Sequence, residues 1–149
     1  MFTFNILKWI SYFFIKKEKP YTNLDHIFVP SSWRLLKNEA WNRASRVLSA
    51  DGLKATTKCK YIIIEEGIKI NPKTGQWGCP TNINGTEFWY AGLTNLNTIR
   101  VVGTPISAPY SKSQGILTHE VAESILNTNP QWANKTNDER NKYLWSIGL

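Results

Sequence analysis

Between two apolar runs, Gly115-Ile116-Leu117 and Ile125-Leu126, lies the stretch Thr118-His119-Glu120-Val121-Ala122-Glu123-Ser124. On a helix of 3.6 residues per turn, positions i and i+4 share a face. His119 and Glu123 therefore point at one spot, with Glu120 beside them. An imidazole and a carboxylate one turn apart make half a site for a divalent metal such as zinc, and a second carboxylate next to it is placed to act as a general base. The chain has only two histidines, so one at this position is informative. The apolar neighbours Ile116, Leu117, Val121, Ala122 and Ile125 leave the motif helix little exposed surface, and buried carboxylates need a cation or hydrogen-bond donors. The plainer reading of the same residues is a solvated helix face, since Glu is a good helix former and a histidine near a helix start can cap it or stay exposed.

The elements that must position these residues follow from pattern. Ser31 or Ser32 is expected to cap a helix whose apolar positions Trp33, Leu36, Ala40, Trp41, Ala44, Val47 and Leu48 recur at spacings of three and four, stopped by Asp51-Gly52. Tyr61-Ile62-Ile63-Ile64 is rich in β-branched residues, and Ile68-Lys69-Ile70 alternates. Glu87 to Ala91 and Thr98-Ile99-Arg100-Val101-Val102 are two further strand candidates. Asn71 to Gly75 and Gly78 to Gly85 read as turn chemistry. Gly103 to Gln114, with two prolines, reads as a long loop. The motif helix is expected from about Gly115 to Leu126, ended by Asn127-Thr128-Asn129-Pro130. Thr136 or Asn137 can cap a last helix with Asp138 and Glu139 in its first turn, where the dipole favours anions. Strands clustered between helices imply an α+β fold, with a small mixed or antiparallel sheet packed on helices.

Composition bounds the function classes. At 149 residues, with 42% hydrophobic and 19% charged residues, the chain is expected to fold as one globular domain over residues 20–149. The formal charge of +7 suits an anionic partner, whether a membrane surface, nucleic acid or a cell-wall polymer. With no RNP-type strand, zinc-finger spacing or Gly-rich phosphate loop, a nucleic-acid partner is not expected. Cys59 and Cys79 allow either one disulfide or two buried thiols. Residues 1–19 form a separate apolar segment. Residues 2–15 are too short and too polar to span a bilayer and carry no basic leader region, and Lys16-Lys17-Glu18-Lys19-Pro20 follows. That segment reads either as an interfacial helix at a membrane surface or as a helix docked on the domain or a partner.

The residues His119-Glu120-Val121-Ala122-Glu123 resemble the HExxH motif of zincin-like metallopeptidases, with Glu in place of the second His, as in an HExxE variant. Thr128-Asn129-Pro130 is similar to the stretch that closes the motif helix there, although offset. The resemblance covers about the last third of the chain and the helix–sheet order before it. It implies His119 and Glu123 as ligands of Zn2+, Glu120 as general base, and Thr98, Ile99, Arg100, Val101 and Val102 as the substrate-side strand. For a third ligand, Glu139 on the next helix is similar in arrangement to the Glu-ligand zincins, and His26 is the other imidazole. No histidine follows the motif, a departure from the metzincin pattern. The expectation is a small zinc-dependent hydrolase acting on a peptide or protein. The alternative is a non-catalytic structural or binding protein that keeps a degenerate zincin-like fold and contacts an anionic partner. The short, Asn- and Lys-rich, Trp-bearing chain is in keeping with a phage or mobile-element protein.

Overall fold

The computed structural model describes residues 19–65, 69–75, 77–83, 85–102 and 110–149. The apolar segment 2–15 and most of the expected loop at 103–114 lie outside the described residues. A 3₁₀ turn, Ser31–Trp33, leads into α1, Arg34–Ala50, and strands β1 Tyr61–Glu65, β2 Lys69–Ile70, β3 Trp77–Ile83, β4 Thr86–Tyr90, β5 Gly92–Thr94 and β6 Thr98–Val102 follow. Helices α2 Tyr110–Leu126, α3 Pro130–Ala133 and α4 Asn137–Ser146 complete an α+β chain. Among the described residues no helix is long and apolar enough to cross a membrane.

Helix α1 buries the stripe Leu36, Ala40, Ala44 and Leu48, each fully inaccessible. Two alanines in the middle of that stripe let another helix approach closely, and the most extensive contact between helices is α1 on α2. The expected serine cap is absent. Ser31 lies inside the 3₁₀ turn, and Trp33, whose side chain is buried, occupies the N-cap position of α1 without a capping bond. At the other end Asp51-Gly52 does stop the helix. Gly52 takes φ +83°, and Leu53 N–H reaches back to the Leu48 carbonyl at 3.0 Å.

The main sheet is mixed and three-stranded, in the order β1-β6-β5. β1 runs parallel to β6 in the register Ile62↔Ile99 and Ile64↔Val101, and β5 pairs antiparallel to β6 with Leu93↔Arg100. Side chains alternate across it. Ile62, Ile99 and Val101 are buried, whereas Tyr61 and Ile63 are exposed. On β6, between Ile99 and Val101, Arg100 donates to Glu65 Oε1 at 2.7 Å. β2, β3 and β4 form a separate antiparallel sheet, with Gly85 at φ +81° closing the β3–β4 hairpin.

Helix α2 sits at the centre. The sheet covers it through β5 and β6, α1 through its alanine stripe, and α4 from a third side. Residues 117–126 are consequently buried throughout, His119 alone being partly exposed. A helix enclosed on all sides calls for apolar residues all round. Leu117, Val121, Ala122, Ile125 and Leu126 comply. Glu120 and Glu123 do not, which makes them the anomaly of the fold.

The candidate site beneath the edge strand

The motif helix brings three of the expected site residues together. His119, Glu120 and Glu123 each offer a ligand atom, and those atoms lie within 4.8 Å of one another. Glu120 and Glu123 are both 5% exposed. They form the floor of a cleft of about 590 Å³, walled by β5 and the residue before it on one side and by α4 on the other. That volume lies within the range of small-ligand sites.

Glu120 is held against the backbone of β5. A Cβ added at Gly92 would fall 2.6 Å from Glu120 Cγ and 2.7 Å from Oε2, so this contact needs glycine. The Thr94 hydroxyl reaches both Glu120 Oε1, at 3.0 Å, and the Glu120 carbonyl, at 3.1 Å. Burial pushes the Glu120 carboxyl well above the usual carboxylate range; the charge of Glu123 and a hydrogen bond with it push the same way, and the Thr94 bond opposes them.

His119 is oriented at both nitrogens. Nδ1 lies 3.1 Å from the Leu149 main-chain oxygen and Nε2 lies 2.8 Å from Asn141 Oδ1, with the ring stacked near Trp145. Donation of Nδ1–H to a main-chain oxygen fixes the tautomer that leaves a lone pair on Nε2, the arrangement common for metal-ligating imidazoles. Asn141 is compatible with that tautomer when its amide is turned to donate, since the two ends of an amide are interchangeable by a half-turn. Glu123 faces Arg140, whose Nε is 3.8 Å from Glu123 Oε1.

Two expected contributors are elsewhere. Glu139, expected as third ligand, is exposed, and it closes a capping box. Its N–H donates to Thr136 Oγ1 at 3.2 Å, and its Oε1 accepts from the same hydroxyl at 3.0 Å. The α4 cap thus uses the carboxylate, and the helix turns Asn137, Arg140, Asn141 and Trp145 to the cleft instead. The other imidazole, His26, is stacked on Tyr21 and bonds to the Cys59 carbonyl, away from the cluster. Thr98–Val102, expected on the substrate side, is the central strand with both edges paired, so it has no edge to offer a peptide. The strand bordering the cleft is β5, at the edge of the sheet. Cys59 is a buried free thiol that donates to the Tyr61 carbonyl, and burial raises its pKa to about 11.

Sequence reasoning missed Gly92, Thr94, Arg140, Asn141 and Trp145. The α4 residues carried a signal, since Asn137, Asn141 and Trp145 recur every four positions on one face. Gly92-Leu93-Thr94 carried almost none, being three residues long and opened by glycine. Comparison with protein-family models, curated proteins and solved structures returns no match to this chain.

Proposed function

We propose that this chain is a small zinc-dependent hydrolase acting on peptides, with His119 and Glu123 holding the ion and Glu120 moving the proton. The observation that carries the reading is the convergence of one imidazole and two buried carboxylates on the floor of a cleft bordered by an edge strand. The donor set suits zinc, which takes imidazole nitrogen and carboxylate oxygen. The fit is also electrostatic: burial and the neighbouring Glu123 raise the proton affinity of Glu120, and a divalent cation would relieve that repulsion. Bound there, the ion would supply Lewis acidity, polarising a substrate carbonyl.

The remaining steps belong to the protein's own groups. Glu120 accepts a proton from the attacking water and returns it to the leaving amine, a role suited to a carboxyl whose proton affinity burial has raised. Thr94 and the bare backbone at Gly92 fix the position of that carboxyl. The main-chain oxygen of Leu149 and the side chain of Asn141 orient the His119 ring. β5, at the sheet edge, offers main-chain groups for an extended peptide. A membrane-surface role for residues 2–15 belongs to the same proposal. It is tested by vesicle co-sedimentation of the full chain against one starting at Lys19, with loss of binding expected on truncation.

One observation favours a second reading, a non-catalytic domain with a degenerate site. Arg140 stands beside Glu123 and supplies a positive charge to the cluster with no metal at all. Peptide hydrolysis separates the two. The zinc-loaded wild type should cleave a peptide library, and Glu120→Gln should lower the rate roughly 10²–10⁴-fold with the fold retained. A zinc-loaded wild type that cleaves nothing would leave the second reading.

A further inference from the structure

The hydrolase reading gives no role to Arg140, and its geometry calls for one. Its Nη1 donates to the Lys135 carbonyl, which ties one end of the guanidinium to the turn before α4. Its Nε is inaccessible to solvent and has no hydrogen-bond partner. The nearest carboxylate oxygen, Glu123 Oε1, is 3.8 Å away, beyond hydrogen-bond length. A guanidinium can grip a carboxylate with two parallel N–H bonds, a geometry that a single long contact to Glu123 leaves unused. A buried donor left without an acceptor is costly, and a persistent one is a mark of function.

The setting supports a ligand. Among the described residues Arg140 is the one arginine or lysine lining the cleft, and it stands between Asn137 and Asn141, which line the same wall. Charge decides which ligand suits it. In the metal-free cleft the guanidinium of Arg140 has Glu123, 3.8 Å away, as its counter-charge. A divalent ion on His119 and Glu123 would make the floor positive and release Arg140 from Glu123.

We infer that Arg140 is a specificity-determining residue whose guanidinium binds a carboxylate of the peptide substrate, with Asn137 and Asn141 beside it in the cleft wall. This rests on the hydrolase reading for its substrate, but not for its binding chemistry. The carboxylate has two possible sources, the C-terminus of the peptide or an acidic side chain next to the scissile bond. A C-terminal carboxylate would make the enzyme trim peptides from that end; an acidic side chain would make it cut beside Asp or Glu.

The test is binding to the full-length protein, metal-free and zinc-loaded, by calorimetry. The probes are N-acetyl-Leu-Leu with a free carboxylate, its C-terminal amide, and the amide of N-acetyl-Leu-Glu. One or both acids should bind at least about tenfold more tightly than the neutral amide, and the tighter acid identifies the source. Arg140→Gln should bring the acids down to the level of the amide. Arg140→Lys should restore part of the difference, because a point charge keeps attraction but loses the paired geometry. Reciprocity requires that the preferred acid also tighten zinc binding by the same factor by which zinc tightens it. Acids and amide binding wild type equally would overturn the assignment. So would a preference that survives Arg140→Gln, which would put the carboxylate on the metal. Acid preference without any hydrolysis would sink the enzyme reading and leave the carboxylate site standing. If Arg140→Gln does not fold, the acid–amide comparison in wild type and Arg140→Lys decides alone.

Discussion

Two sets of polar side chains, one on the cleft face of helix α2 and one at and just past its C-terminal end, are treated in opposite ways. Toward its C-terminal end, Ser124, Thr128 and Asn129 are fully satisfied. Ser124 accepts from Thr57 at 2.9 Å and donates to the Val121 carbonyl, while Thr128 donates toward the Thr56 carbonyl. Asn129 donates from Nδ2 to the Ile125 and Lys54 carbonyls and accepts from Lys54 N–H. These bonds stitch the segment after α1 to the end of α2. On the cleft side the account does not close. Glu120 and Glu123 are carboxyls facing each other, which together with burial raises the proton affinity of Glu120, and Arg140 Nε finds no acceptor. Buried polar groups that satisfy one another specify a fold. Buried groups left in conflict are the signature of a site that expects something else.

Breaking the satisfied end should give the largest change in stability. Asn129→Ala removes three bonds and strands the Lys54 main-chain groups, and about 2–4 kcal/mol should be lost in denaturant unfolding. Hydrolytic activity per folded molecule should be unchanged. An activity loss larger than the loss of folded protein would mean that the stitched end also shapes the cleft.

The conflicted end should behave in the reverse sense, with Glu120→Gln stabilising the metal-free protein. The unfolded chain releases this proton near the ordinary value of 4.5, whereas the folded chain keeps it to a raised pH. Between those two values the unfolded state binds fewer protons, so stability falls as pH rises, by about 1.4 kcal/mol per pH unit. The loss is absent below the unfolded value and levels off above the folded one. Unfolding curves of the chelated protein from pH 4 to 8 should show this slope in wild type and lose it in Glu120→Gln. Parallel curves would contradict the burial of an unmet carboxyl.

Thr94→Val makes the finest cut. It removes the one hydrogen bond that favours the charged form of Glu120, and about 1 kcal/mol of stability should go with it. The Glu120 proton should be held to a still higher pH, which carboxyl NMR titration would record. An unchanged titration would mean that Thr94 serves the helix carbonyl alone.

The contrast between the two ends was only half legible in the residues. The i, i+4 geometry of His119 and Glu123 was, because helical periodicity is a local rule that survives packing. The α+β class and the strands at Tyr61–Glu65 and Thr98–Val102 were legible for the same reason, being short β-branched runs. Which strand borders the cleft was not. β6 carries the stronger pattern because it is central and buried, and the edge strand β5 is short and glycine-led because Glu120 must press against it. Strand β3 was hidden by Gly78, Pro80 and Asn82, residues that signal turns yet here fill a hairpin arm. Glu139 looked like a ligand by sequence distance, but its carboxylate turns back to the hydroxyl of Thr136, the residue that caps α4. Arg140 became visible only when three elements closed over it.

The central claim is that His119 and Glu123 hold a divalent cation while Glu120 stands beside it as the base. Zinc titration by calorimetry on wild type and three variants tests this most directly. About one zinc per chain should bind to wild type and to Glu120→Gln, since that residue is not a ligand, whereas His119→Ala and Glu123→Gln should lose the site. A folded wild type that takes up no zinc, or an equal loss in Glu120→Gln and Glu123→Gln, would contradict the account.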